Sequence, residues 1–122
     1  MGYHVIDPDD LETEPDRPCE LRRVSPVAGF DNMAVNRFHA APGEEIPLAY
    51  HYHDDQEELF VVLSGTLSVE TPEGTYEAEA GELFTVTPPN PQRGYCAEDA
   101  DGPVTVIAVG APAVDDVHPY EP

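Results

Sequence analysis

The chain has 122 residues, with 25 Asp and Glu against 5 basic residues that are all arginine, and a formal net charge of −20 with histidine neutral. That length suits one domain with a sizeable core, and such a charge leaves no basic patch, which excludes nucleic acid and anionic membranes as partners. No apolar run approaches the roughly 18 residues of a membrane span, and residues 1–10 carry neither the basic start nor the apolar stretch of a secretory signal, so a soluble, cytoplasmic protein is expected.

In chain order, residues 1–20 hold Asp7, Asp9, Asp10 and Glu12 with Pro8, Pro15 and Pro18 and show no periodicity, which predicts an N-terminal arm or an edge-covering segment. From residue 21 to 111 the pattern is short and extended. The runs LRRVSPV, MAVNRFHA, IPLAYHYH, ELFVVLSG, TLSVETP, GTYEAEA, ELFTVTP, RGYCAE and PVTVIAVG have strand length and are separated by Pro, Gly, Asn or Asp. Several alternate, as Leu67 and Val69 do against Ser68 and Glu70. The 14 prolines, about twice the usual share, punctuate the chain and argue against long helices. TPEGT at 71–75 predicts a hairpin loop. Residues 112–122 have no period and are expected to form a C-terminal tail, an arm or an edge-covering segment, with His4 and His118 solvated in the two termini. Nine strands in one small domain imply an all-β sandwich or barrel whose interior holds any functional site. Cys19 and Cys96 are too few and too distant for a disulfide scaffold, so free thiols are expected.

The chemistry concentrates at His51-Tyr52-His53 and the acidic stretch that follows. In a strand, residues two apart share a face, so His51 and His53 present two imidazoles side by side. Glu58, at the start of the next strand, supplies a carboxylate that completes a set of three. Two histidines and a carboxylate with open positions suit non-haem Fe(II), and the same donors hold Mn, Ni, Co or Zn.

The spacing His51-x-His53-x4-Glu58-x6-Gly65, followed by Gly81-Glu-Leu-Phe-Thr-Val-Thr-Pro-Pro-Asn-Pro-Gln92, resembles the two signature motifs of the cupin superfamily over residues 40–110 or so. The resemblance implies a small cupin, a double-stranded β-helix or jelly-roll barrel, with His51, His53 and Glu58 as metal ligands and Gly65 turning the chain into the next strand. Glu58 rather than Glu57 stands at the motif distance from Gly65. The second motif departs from the family: Gln92 occupies the place of a third histidine. An amide oxygen is a weaker, neutral ligand, so Gln92 implies either a fourth weak contact to a 2-His-1-carboxylate site or a site that has lost its metal.

Phe60 and Val62, in phase with Glu58, are expected on the pocket wall. Cys96, four residues after Gln92, points into the barrel or serves as a small buried hydrophobe. In MAVNRFHA two phases are open: Arg37 and His39 face inward as an anion clamp or acid–base partner, or Ala34, Asn36 and Phe38 line the interior and leave them outside. The resemblance implies a metal-dependent enzyme, dioxygenase-like, acting on a small organic molecule; the alternative is a noncatalytic barrel that binds a small ligand. Family habit implies a homodimer. Absent lysine and dispersed acids resemble the composition of halophilic proteins, in which high salt screens the self-repulsion of so many charges.

Overall fold

Alternating short runs broken by Pro and Gly leave the chain little choice but antiparallel sheets, and the computed structural model, which describes residues 2–122, is built that way. After a single 3-10 turn at Pro8–Asp10 come β1 (Glu20–Arg23), the short helix α1 (Ser25–Ala28), β2 (Ala34–Ala40), β3 (His51–His53), β4 (Glu57–Ser64), β5 (Thr66–Thr71), β6 (Gly74–Glu79), β7 (Leu83–Val86), β8 (Arg93–Tyr95), β9 (Val104–Ala111) and β10 (Val117–Pro119). One sheet has the order β1-β2-β9-β4-β7. The opposing layer joins the ribbon β6-β5-β8 to the pair β10-β3 through isolated bridges Glu45–Tyr95 and His51–Gln92. The strands are antiparallel throughout. This is the expected double-stranded β-helix, and its core lies between the two layers.

Leu67 and Val69 from β5, Val62 from β4, Val104 and Val106 from β9, and Cys96 meet there, each at most 1% exposed. Burying one such Leu or Val side chain contributes about 1.5–3 kcal/mol, so this cluster is the main source of stability. Gly65 lets β4 pass into β5: its φ is +75°, and a Cβ there would lie 2.2 Å from the Pro103 carbonyl oxygen. Just before it, Leu63 is the extra residue of a bulge between β4 and β9. The 71–75 hairpin forms as expected, with Thr71 paired to Gly74 and its Oγ1 donating to the Gly74 carbonyl at 2.7 Å.

Two segments differ from the sequence-based expectation. LRRVSPV is a strand only to Arg23; with Pro26 in the first turn and Gly29 in the left-handed conformation at its end, the chain makes one helical turn. IPLAYHYH is extended as a strand only over its last three residues. In the C-terminal segment Val117–Pro119 pairs with β3, and His118 stacks on Tyr52 and lies 2.7 Å from Asp54. The N-terminal arm lies against the β1 edge, where Thr13 bridges Arg22 and Arg37 binds Asp9 at 2.7 Å. Both cysteines are buried free thiols.

Candidate metal centre

The period of β3 turns His51 and His53 to the same inner face, where both are buried and their rings lie edge to face at 5.1 Å. The bridge between His51 and Gln92, closed by two backbone hydrogen bonds, brings the Gln92 side chain beside His51. Glu58 arrives from the other sheet, where it pairs with Val86 and Gly110. The group therefore spans both layers at one end of the barrel. One ligand atom from each of His51, His53 and Glu58 lies within 4.8 Å of the others. Glu58 Oε1 is 2.8 Å from His53 Nε2 and 3.9 Å from His51 Nε2. Two ligands each about 2.1 Å from one ion stand at most about 4.2 Å apart, so the 2.8 and 3.9 Å separations of Glu58 from the two imidazoles fit a shared metal.

The far side of each ring decides which nitrogen is free for that role. His51 Nδ1 donates to the Ala49 carbonyl at 2.8 Å, which leaves Nε2 directed at the centre. His53 Nδ1 donates to Asp116 Oδ1 at 2.7 Å. Asp116 is itself fixed by the backbone N–H groups of Asp55 and Gln56, at 2.7 and 3.0 Å. A histidine oriented by a carboxylate behind it is a recurrent feature of metal sites, because the carboxylate sets the tautomer and raises ligand basicity. Both His53 nitrogens face carboxylate oxygens that only accept, so without metal the ring carries two protons. The hydrogen bond to Glu58 pushes its pKa up to about 9 against the effect of burial, with Asp116 adding to the rise. Burial pushes Asp116 upward, but the Asp55 N–H, His53 and the Gln56 N–H together hold it well below the usual carboxylate range. Proton and metal compete for one lone pair on His53 Nε2.

Gln92 is almost fully buried, and its Nε2 donates to Glu58 Oε1 at 3.2 Å and lies 3.5 Å from His51 Nε2. The four side chains open onto a cavity of about 660 Å³ whose apolar wall includes Phe38, Ile46, Phe60 and Ala108. That size and lining suit a small organic molecule held by a few polar groups.

Of the other residues singled out in the sequence, Phe60 is on the cavity wall. Val62 and Cys96 are not; they lie deeper, in the closed core, with Cys96 Sγ 3.5 Å from the Gly102 carbonyl oxygen. Arg37 and His39 point to the outer face, because Phe38 and Ala40 hold the buried phase of β2. Arg37 binds Asp9 and Glu20, and His39 Nδ1 meets Thr105 Oγ1 at 2.8 Å. The open alternative for this strand is thus resolved in favour of Ala34, Asn36 and Phe38, all of which line the cavity. Sequence reasoning missed Asp116, which carries no local signature, and Arg17 and Arg23, which reach the cavity from the arm and β1.

A family profile described as Cupin domain matches residues 36–110. No curated protein is matched by the chain. Among solved structures, the polyketide cyclase RemF from Streptomyces resistomycificus superposes with a TM-score of 0.80 at 17% identity, over 98% of this chain and 87% of that one. A cupin-superfamily sugar phosphate isomerase from Silicibacter pomeroyi gives 0.75 at 23% identity, over 88% and 75%. A point variant of Streptomyces PAC13 with uridine gives 0.70 at 16% identity, over 97% and 90%. At these identities the likeness is one of fold.

Proposed function

The chain belongs to the cupin family, and on that premise we propose that it is a metal-dependent enzyme acting on a small organic molecule held in the barrel cavity. The observation that carries this reading is the pair of occupied Nδ1 atoms, Ala49 behind His51 and Asp116 behind His53, which commits both Nε2 atoms to the same point as Glu58. Two imidazoles and one carboxylate leave coordination positions open, and such a set suits Fe(II) or Mn, with Ni, Co and Zn as further candidates. Held by His51, His53 and Glu58, such an ion would supply polarisation of a substrate oxygen or support oxygen chemistry, which makes a dioxygenase-like reaction the leading choice. The protein's own part is to orient the ligands and to exclude water with Phe38 and Phe60.

The second reading is a noncatalytic barrel that binds a small ligand. Gln92 favours it, since its amide N–H satisfies Glu58 without any metal. The two readings differ in which end of that amide faces inward: an oxygen there is a fourth ligand, an NH2 group is not. The names of the structural neighbours, a cyclase, an isomerase and a uridine-bound protein, support a small-molecule role and do not choose a reaction.

Metal content per chain, measured after purification without added metal or chelator, tests the primary reading. Near-stoichiometric metal that is lost in a His51→Ala/His53→Ala variant supports it; a wild-type chain that neither carries nor takes up metal overturns it in favour of the empty barrel.

Among the described residues no helix is long and apolar enough to cross a membrane, in keeping with a soluble cytoplasmic protein. Exposed Phe30 and Met33, close together in the chain after α1, support a homodimer, to be tested by sedimentation. The net charge of −20 supports adaptation to high salt; equal stability at about 50 mM and about 2 M salt would contradict it, because screening differs strongly between them.

A further inference from the structure

Five arginines face 25 acidic residues in this chain, so an arginine without a carboxylate partner is an anomaly. Four have one: Arg22 binds Glu20 at 3.2 Å, Arg23 binds Glu14 at 3.0 Å, Arg37 binds Asp9 at 2.7 Å, and Arg93 binds Glu70 at 2.9 Å. Arg17 makes no side-chain hydrogen bond or ion pair among the described residues, and its Nε is fully buried without a partner. Arg37 also has an unpaired Nε, but its two terminal nitrogens are engaged by Asp9 and Glu20. Arg17 is half-buried and lines the same cavity as His51, His53 and Glu58, with Arg23 beside it on the wall. Burial, and after it the Arg23 charge, act against its guanidinium, opposed in part by Cys19 and by Glu14, which is itself bound to Arg23. Keeping a desolvated cation without a partner is costly, and the side chain lines the cavity with neither of its terminal nitrogens engaged by the described residues.

We propose that Arg17 is a specificity-determining residue that takes the carboxylate of a small anionic substrate in this cavity. The proposal deepens the metal-dependent reading and rests on it for the place where the rest of the substrate lies. A carboxylate is favoured over a phosphate on charge grounds. The cavity wall already carries the Glu58 and Asp115 carboxylates, and Arg23 is committed to Glu14, so one free guanidinium balances one negative charge. A planar guanidinium also offers two parallel N–H donors to a carboxylate. The apolar wall of Phe38, Phe60 and Ala108 would hold the body of the molecule between this clamp and the metal ligands. The anion clamp that one of the two open phases of β2 assigned to Arg37 thus comes instead from Arg17 in the N-terminal arm.

The test uses three probes of similar shape, benzoate, benzamide and phenyl phosphate, titrated calorimetrically into the wild-type chain and the Arg17→Gln and Arg17→Lys variants at one fixed salt concentration. For the wild type, benzoate should bind about tenfold or more tightly than benzamide, the size expected for a hydrogen-bonded charge pair. Arg17→Gln should abolish that preference while leaving benzamide affinity within about twofold, and Arg17→Lys should restore part of it. Thermal midpoints of the variants show that they fold. Equal binding of benzoate and benzamide to the wild type, no benzoate binding at all, or an equal loss of both probes in Arg17→Gln overturns the proposal. Phenyl phosphate binding more tightly than benzoate overturns the assignment to a carboxylate. Running the titrations with chelator and again with zinc separates this proposal from the one it rests on. Absent zinc binding with the benzoate preference intact defeats only the metal reading, and zinc binding with no preference defeats only the role of Arg17.

Discussion

The two ends of the barrel are made from the same strands and do opposite things. Along β4 the inward positions run Val62, Phe60, Glu58; along β9 they run Val106, Ala108, Gly110; and the chain through β8 runs Cys96, Gly94, Gln92. At the closed end the side chains are apolar and at most 1% exposed. Toward the mouth they shrink, as in β9, or become polar, as in β4 and β8, and the space released is the cavity. Gly110 marks the limit of that trend, since even a Cβ there would press on the Gln56 side chain. The comparison teaches that stability and chemistry are separated by position along each strand. One end excludes water at no polar cost, while the other tolerates buried histidines, a carboxylate and an amide because each has a partner.

Substitutions at the two ends should therefore fail in different ways. The largest effect is expected at the closed end, where Leu67→Ala leaves a hole among fully buried neighbours and should cost about 2–5 kcal/mol. Chemical denaturation measures it, and the folded fraction should still take up metal as the wild type does. Gly65→Ala, at the turn between β4 and β5, combines a left-handed backbone with a Cβ 2.2 Å from a backbone oxygen. It should cost about 2–4 kcal/mol, again without a specific effect on metal affinity. At the open end the order reverses. Asp116→Asn keeps the shape but turns an NH2 group toward either the His53 Nδ1–H or the Asp55 and Gln56 N–H groups, so metal affinity should drop about 10–100-fold, and the metal-free chain should also lose stability at neutral pH.

The remaining effect is a pH dependence of the metal-free protein. His53 is raised from 6.5 to about 9, so its contribution is fully present below pH 6.5 and is lost as pH rises through about 9. The denaturation midpoint in chelator should fall across that window, and His53→Gln should flatten the fall. A wild-type profile as flat as that of the variant would mean that His53 is not held as an imidazolium by Glu58 and Asp116.

Much of the closed end was legible in the sequence, because alternation of Leu67 and Val69 against their neighbours and the spacing of Pro and Gly report directly on strands and turns. The pairing of His51 with His53 was legible for the same reason, a two-residue period, and Glu58 and Gln92 through the motif they share with cupins. The phase of β2 was not, since Arg37 with His39 and Asn36 with Phe38 are equally regular, and only the packing of Phe38 and Ala40 against the opposite layer decides. Asp116 and Arg17 were beyond reach for a different reason. Each comes to the site from a terminal segment without periodicity, and its position depends on long-range contacts: β10 pairing with β3 for Asp116, and the arm lying against β1 for Arg17.

The central claim is that the open end is a metal centre in which an ion replaces the proton on His53 Nε2. Calorimetric titration of zinc into the metal-free chain at about pH 7.5, repeated in buffers of different ionisation enthalpy, counts the protons released on binding. The account predicts one zinc per chain with about one proton released, and loss of both in His53→Ala. Zinc binding with no proton release, or binding undiminished in His53→Ala, would contradict it.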